Sequence, residues 1–217
     1  MIPEMNDKDV DIESVTQKIL ADEVLLSEIL EGLVSKHETF RYNCHKVLMQ
    51  LTEKNGELLY HYWDYLVELL DSQNSYRKMS AIHLISNLVK VDTEDRFEQI
   101  FDKYYSLLDD KSVIVAIYAA ACSGRIVKAK PQLESQITSK LLNIDNTHHN
   151  EGRMMLVKTG AIQAFDEYFA FSTDKERILD FARASQYGSS PKTIKLAQDF
   201  LEKWLRTISN PMWAKSA

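Results

Sequence analysis

Two short stretches of this chain hold the residue types that most often carry chemistry. One is Cys44-His45, and the other is the group Asp145, His148, His149 and Glu151. A zinc site would need three or four such ligands at short spacing or on facing elements. Consecutive residues on a helix point about 100° apart, so Cys44 and His45 are poorly placed to ligate together. The second group falls in the longest inter-helix connection of the sequence, where a polar, solvated loop is expected. No metal site and no cofactor are therefore expected. Nucleophilic catalysis finds no better support: there is no G-x-S-x-G elbow, no P-loop and no G-x-G-x-x-G. The six glycines are scattered singly, which leaves no phosphate-cradling loop. Cys44 sits on an expected core face, where thiols are usually inert. The reading is a protein that is not an enzyme.

The run Tyr60, His61, Tyr62, Trp63, Asp64, Tyr65 is the densest aromatic stretch. On a helix such a run faces every direction. Its core stripe is expected to be Leu59, Tyr62, Trp63, Val67 and Leu70, leaving Tyr60 and His61 exposed. Large aromatics mostly serve packing, and that is the expectation here.

The elements that must position these residues are helices. Phe97, Ile100, Phe101, Tyr104 and Leu108 fall on one stripe of a 3.6-residue helix, predicting a helix over 94–108. Thr93 is its expected N-cap, with Glu94 and Asp95 in the first turn. A second, nearly all-apolar helix follows over 112–128. The same pairing recurs as 22–34 with 38–53, 56–71 with 75–90, 131–143 with 150–168, and 174–185 with 190–205. Asn55-Gly56 separates the first two pairs. Pro131 and Pro191 sit at first-turn positions, the latter after Ser189-Ser190 as caps, and Thr173 with Glu176 has capping-box spacing. Residues 9–20 read as an extra N-terminal helix covering one end of the array. No segment alternates with a two-residue period, so no sheet is expected.

One small-residue position repeats through the second helices: Cys44, Ala81, Ala119, Val157 and Ala197, at steps of 37, 38, 38 and 40 residues. A second helix in a stack faces its partner and both neighbouring pairs, and a small side chain there lets backbones approach. Cys122 fills a similar place one turn further along its helix.

Composition agrees with a soluble globular chain, at 45% hydrophobic and 27% charged residues. No apolar run approaches the ~18 residues of a membrane span. The first twenty residues carry five acids and no apolar block, so no signal peptide is expected. Two cysteines are too few for a disulfide scaffold, and a cytoplasmic location is the default expectation. The net charge of -6 is unevenly spread, because residues 1–33 carry nine acids against two lysines and the rest sums to +1. Such a block is usually a solvated face, with an intermolecular docking surface as the alternative.

The repeated pairs resemble HEAT repeats, whose units are helix pairs of roughly 40 residues. In that family a basic residue often stands three positions before the small one, with an apolar residue about seven beyond. Arg41 and Lys78 match the basic position here, and Leu48 with Leu51, and Ile85 with Leu88, match the apolar one. Ala116, Met154 and Ile194 depart from the basic position. The resemblance implies an all-α, right-handed α-α superhelix of the HEAT/armadillo kind, with about five helix pairs plus the N-terminal capping helix. Its expected divisions are an acidic segment with the capping helix over 1–21, the repeat domain over 22–205 and a tail over 206–217.

In such arrays the second helices line a concave face. Projection from the small-residue position puts Tyr42, Lys46, Met49, Met79, His83, Asn87, Tyr118, Arg125, Arg153 and Lys158 there as exposed binding candidates. Their mixture of aromatic, thioether and basic groups suits a protein or peptide partner better than a phosphate backbone. The expected function is a non-enzymatic scaffold or adaptor. The alternative is a similarity to the HEAT-like alkylpurine DNA glycosylases, which implies a basic cleft, stacking tryptophans and an essential Asp. Trp63, Asp64, Trp204 and Trp213 are the residues that would serve it.

Overall fold

The computed structural model describes residues 2–209, and among these the regular structure is helical with no strand. The chain divides into two compact units, one ending at Ile100 and the other beginning at Phe101.

The first unit opens with a 3-10 turn (Pro3–Asn6) and α1 (Ile12–Ala21), followed by α2 (Val24–Gly32) and α3 (Glu38–Lys54). Then come α4 (Gly56–Tyr60), α5 (Trp63–Leu69), α6 (Ser75–Leu88) and the single turn α7 (Arg96–Gln99). The N-terminal turn and α1 pack on α3. Asn43, buried on α3, donates its amide to the carbonyls of Met5 (3.0 Å) and Asp7 (2.9 Å), which ties the turn down. The acids of the N-terminal block are largely engaged. Glu4 pairs with Lys18, Glu13 takes Gln17, Gln50 and Lys54, and Glu28 accepts the Ile2 N–H at 3.0 Å.

The second unit contains α8 (Phe101–Ser106), α9 (Val113–Ala129), α10 (Glu134–Leu142), α11 (Glu151–Tyr168), α12 (Lys175–Ser185) and α13 (Pro191–Ile208). Helix α9 packs on α11, where Gly160 lies against the backbone of Ile117. Pro131 and Pro191 both stand in first turns, and the Ser190 side chain accepts from Thr193 N as an N-cap. Cys44, Ala81, Ala119, Val157 and Ala197 are all 0% exposed, so the repeated small position is the packed seam of each second helix.

Side-chain bonds recur at nearly the same sequence separation. His45 meets His83 and Asn43 meets Met5, each across 38 residues, and Lys90 reaches the Glu53 carbonyl across 37. In the second unit Lys140 binds Asp102 across 38, Lys128 binds Glu167 across 39, and Thr193 reaches the Met155 carbonyl across 38. Equivalent positions of successive pairs touch, as stacked repeats require.

Three expectations are corrected. Two of the first helices are shorter than their apolar stripes: 56–71 breaks at Tyr62 (φ -97°, ψ 15°) and 94–108 at Ile100 (φ -105°, ψ 6°). Thr93 does not cap the latter. Asp92 accepts from Arg96 N (3.0 Å) and Phe97 N (2.9 Å), because a carboxylate can take two helix-start donors at once. Asp95 enters the left-handed region (φ 54°) between them. The Thr173–Glu176 box does not form either, since Thr173 gives its hydroxyl and its N–H to Glu134 of α10.

Candidate functional site

The helices α3 and α6 carry the densest set of expected binding residues. Their shared face begins with Tyr42 and Tyr76, two of the most exposed large side chains at 59% and 58%. A cation stands over each ring: Lys46, one turn on, lies 4.6 Å from the Tyr42 centroid, and Arg41 lies 5.1 Å from that of Tyr76. Such contacts orient both partners while leaving the outer ring faces available. Arg41 is itself held by donation to the Ser35 carbonyl at 3.0 Å.

One turn further, His45 Nε2 and His83 Nδ1 approach to 3.4 Å, with ring centroids 5.4 Å apart and planes at 34°. His45 is half-buried, and its Nδ1 is enclosed with no hydrogen-bond partner among the described residues. Burial disfavours its charged form and pulls its pKa down to about 4. Beyond the pair, Asn87 donates to Thr52 Oγ1 at 3.0 Å and approaches Met49 Sδ at 3.8 Å. The structure thus brings Tyr42, Lys46, Met49, Met79, His83 and Asn87 onto two adjacent helices. Asn87 is not the exposed residue expected: it is 8% exposed because Thr52 of the neighbouring repeat satisfies its amide.

Within the second unit the expected residues are more dispersed. Tyr118 and Arg125 are half-buried on α9, and Arg153 is exposed in the first turn of α11. Lys158 was expected at the surface but is only 8% exposed. Its ammonium pairs with Asp145 at 2.6 Å and lies 5.2 Å from the Phe181 ring centroid, and those contacts repay its desolvation.

The polar connection is more structured than a solvated loop. His148 meets Asp109 Oδ1 through both its N–H (2.7 Å) and Nδ1 (2.6 Å). Burial raises the Asp109 pKa, but the His148 hydrogen bonds outweigh it and the net direction is down. His149 is 4% exposed and stacks near His148, with neither ring nitrogen bonded among the described residues. Asp145 is drawn away to Lys158. Among the described residues no three His, Cys, Asp or Glu side chains gather as a metal site. Cys44 packs against Gly32, and burial, with the Glu28 charge second, pushes its thiol up to about 12. It is a packing residue.

The aromatic run serves the core. Trp63 is 1% exposed and Tyr60 donates to Asp92 at 2.5 Å, so Tyr60 is not the free ring expected, whereas His61 is exposed. Arg96 lies over the Tyr60 and Trp63 rings and pairs with Asp64. Trp204 is 8% exposed and donates its indole N–H to Asp166 at 2.7 Å. Trp213 lies outside the described residues. Sequence reasoning missed Arg41, His45 and Tyr76 as surface partners. The 38-residue step from His45 to His83 was the signal available for one of them.

No protein-family model matches the chain, and no curated protein matches it. Among solved structures it is similar to a designed armadillo repeat protein. The likeness has 19% identity and a TM-score of 0.54, and it covers 92% of this chain and 90% of that one. At that identity it establishes the fold alone. The fold is all-α, an armadillo-like helical-repeat fold. No helix among the described residues is long and apolar enough to cross a membrane.

Proposed function

We propose that this chain is a non-enzymatic, cytoplasmic adaptor that binds a protein or peptide segment along its second helices, with the α3–α6 face as the principal site. The observation that carries this reading is the pair of exposed tyrosines, Tyr42 and Tyr76, each with a cation over its ring. Exposed aromatics lose little entropy on binding and supply large contact area, and Arg with Tyr is a typical interface pairing. Lys46 and Arg41 favour a segment bearing carboxylates. The armadillo-type fold supports a scaffold, although fold alone does not give function.

A displayed random-peptide library selected on the full chain tests this. Enriched peptides should carry Asp or Glu, bind more weakly as salt rises, and lose about tenfold or more in affinity in the Tyr42→Ala/Tyr76→Ala variant. The variant's thermal melt should match the parent's, because neither ring is part of the core. Failure to enrich any peptide, or enriched peptides indifferent to both tyrosines, would reject the site.

A further inference from the structure

The His45–His83 contact sets two imidazoles nitrogen to nitrogen across neighbouring second helices at 3.4 Å. We propose that His45 Nε2, His83 Nδ1 and the Met49 thioether form a site for a soft monovalent metal ion of the copper(I) class.

The spacing fits a metal bridging the two rings. Metal–imidazole bonds of about 2.0 Å spanning this 3.4 Å gap enclose an angle of about 116° at the metal. That is close to trigonal and leaves room for a third donor in the plane. Met49 lies one turn beyond His45 on α3. Its sulfur is placed on the α6 side, 3.8 Å from Asn87 Nδ2, and Asn87 lies one turn beyond His83. Met79 stands one turn before His83 on the same helix.

The donor chemistry selects the ion. Two imidazoles and a thioether bring neither thiolate nor carboxylate, so a half-buried site made of them favours a singly charged, soft ion over a divalent one. Structural zinc sites close four protein ligands around the metal, thiolates among them. Cys44 is the nearest thiol in sequence, but it packs into the core against Gly32. Binding needs no net loss of a proton. The hydrogen shared between the rings moves to the other nitrogen of the ring that carries it, and each ring then presents one lone pair to the metal.

The full chain is titrated anaerobically with copper(I) against a chromophoric copper(I) chelator, with silver(I) and zinc(II) in parallel. One equivalent of copper(I) or silver(I) should bind, with zinc(II) far weaker. His83→Gln, a change at a half-buried position, should weaken copper(I) by tenfold or more with little change in the melt. Met49→Leu should weaken it similarly and remove the sulfur shell from the copper X-ray absorption spectrum. His148→Gln should leave affinity unchanged, which separates this pair from the other histidine pair. No competition with the chelator, wild-type affinity in His83→Gln, or wild-type affinity in Met49→Leu would each overturn the proposal.

Discussion

Gly160 shows most directly what single residues do in this fold. A methyl group added there would collide with the Ile117 carbonyl oxygen and stand 3.1 Å from Ala120 Cβ, both on α9. Backbone cannot swing aside as a side chain can, so Gly160→Ala should destabilise by about 1–3 kcal/mol, read as a lower denaturation midpoint. Gly152 is the contrast: its added methyl would meet only Asn150 Oδ1 at 3.8 Å. Gly152→Ala should be neutral or stabilising by up to ~1 kcal/mol, through reduced freedom of the unfolded chain. Equal effects at the two sites would refute the close-approach account. Residues of the packed seam, from Cys44 to Ala197, were legible in the sequence because burial there depends only on size and period. Asn87 and Lys158 were not. Each is buried because a specific partner, Thr52 or Asp145, compensates it, and neither partner is marked by the helical period.

Elements obey a similar division. Second helices follow their apolar pattern closely, whereas two of the first helices, those expected over 56–71 and 94–108, break midway, and side chains of neighbouring repeats help to hold the first helices in place. Glu134 on α10 is the clearest case. It accepts from Ser172 Oγ (2.6 Å), Thr173 Oγ1 (2.9 Å) and Thr138 Oγ1 (3.0 Å), and Ser172 Oγ in turn accepts the Asp174 N–H ahead of α12. Tyr168 of α11 closes the set through Thr138 at 2.7 Å. Burial raises the Glu134 pKa, but the hydroxyl and backbone donors outweigh it, so the carboxyl sits below its ordinary value. The folded state therefore binds the proton less readily than the unfolded chain. The resulting stability is fully present above about pH 4.3 and is lost as pH falls through the lower folded value. Denaturant melts between about pH 6 and 2.5 should show this loss, and Glu134→Gln should flatten it while costing about 1.5–3 kcal/mol near neutrality. An acid limb of unchanged slope in that variant would show that other carboxylates govern it. The capping box expected at Thr173 was unreadable for the same reason: Thr173 was already taken by a residue 39 positions away.

Along the whole sequence, the repeat was the most legible property, because within each unit stacked pairs make the same contacts and so impose a period on the sequence. What the array binds lies instead in exposed side chains, where no packing rule constrains residue type. Charge is the global property that discriminates between partners. The chain carries -6 overall, and +1 outside residues 1–33. Duplex DNA is bound mainly by neutralising phosphates, and each contact needs an available cation. Of the three basic binding candidates in the second unit, Lys158 is committed to Asp145, Arg125 is half-buried, and only Arg153 stands exposed. Trp63 and Trp204 are buried, so neither ring presents a face on which a nucleotide could stack. Titrating a labelled duplex into the full chain at physiological salt should give no saturable binding up to about 10 µM, near the range of non-specific binders. Binding tighter than this, weakening steeply with salt and lost in Arg125→Ala/Arg153→Ala, would transfer the proposed function from a peptide adaptor to a nucleic-acid-binding protein. A flat titration would leave the α3–α6 tyrosine face as the recognition surface.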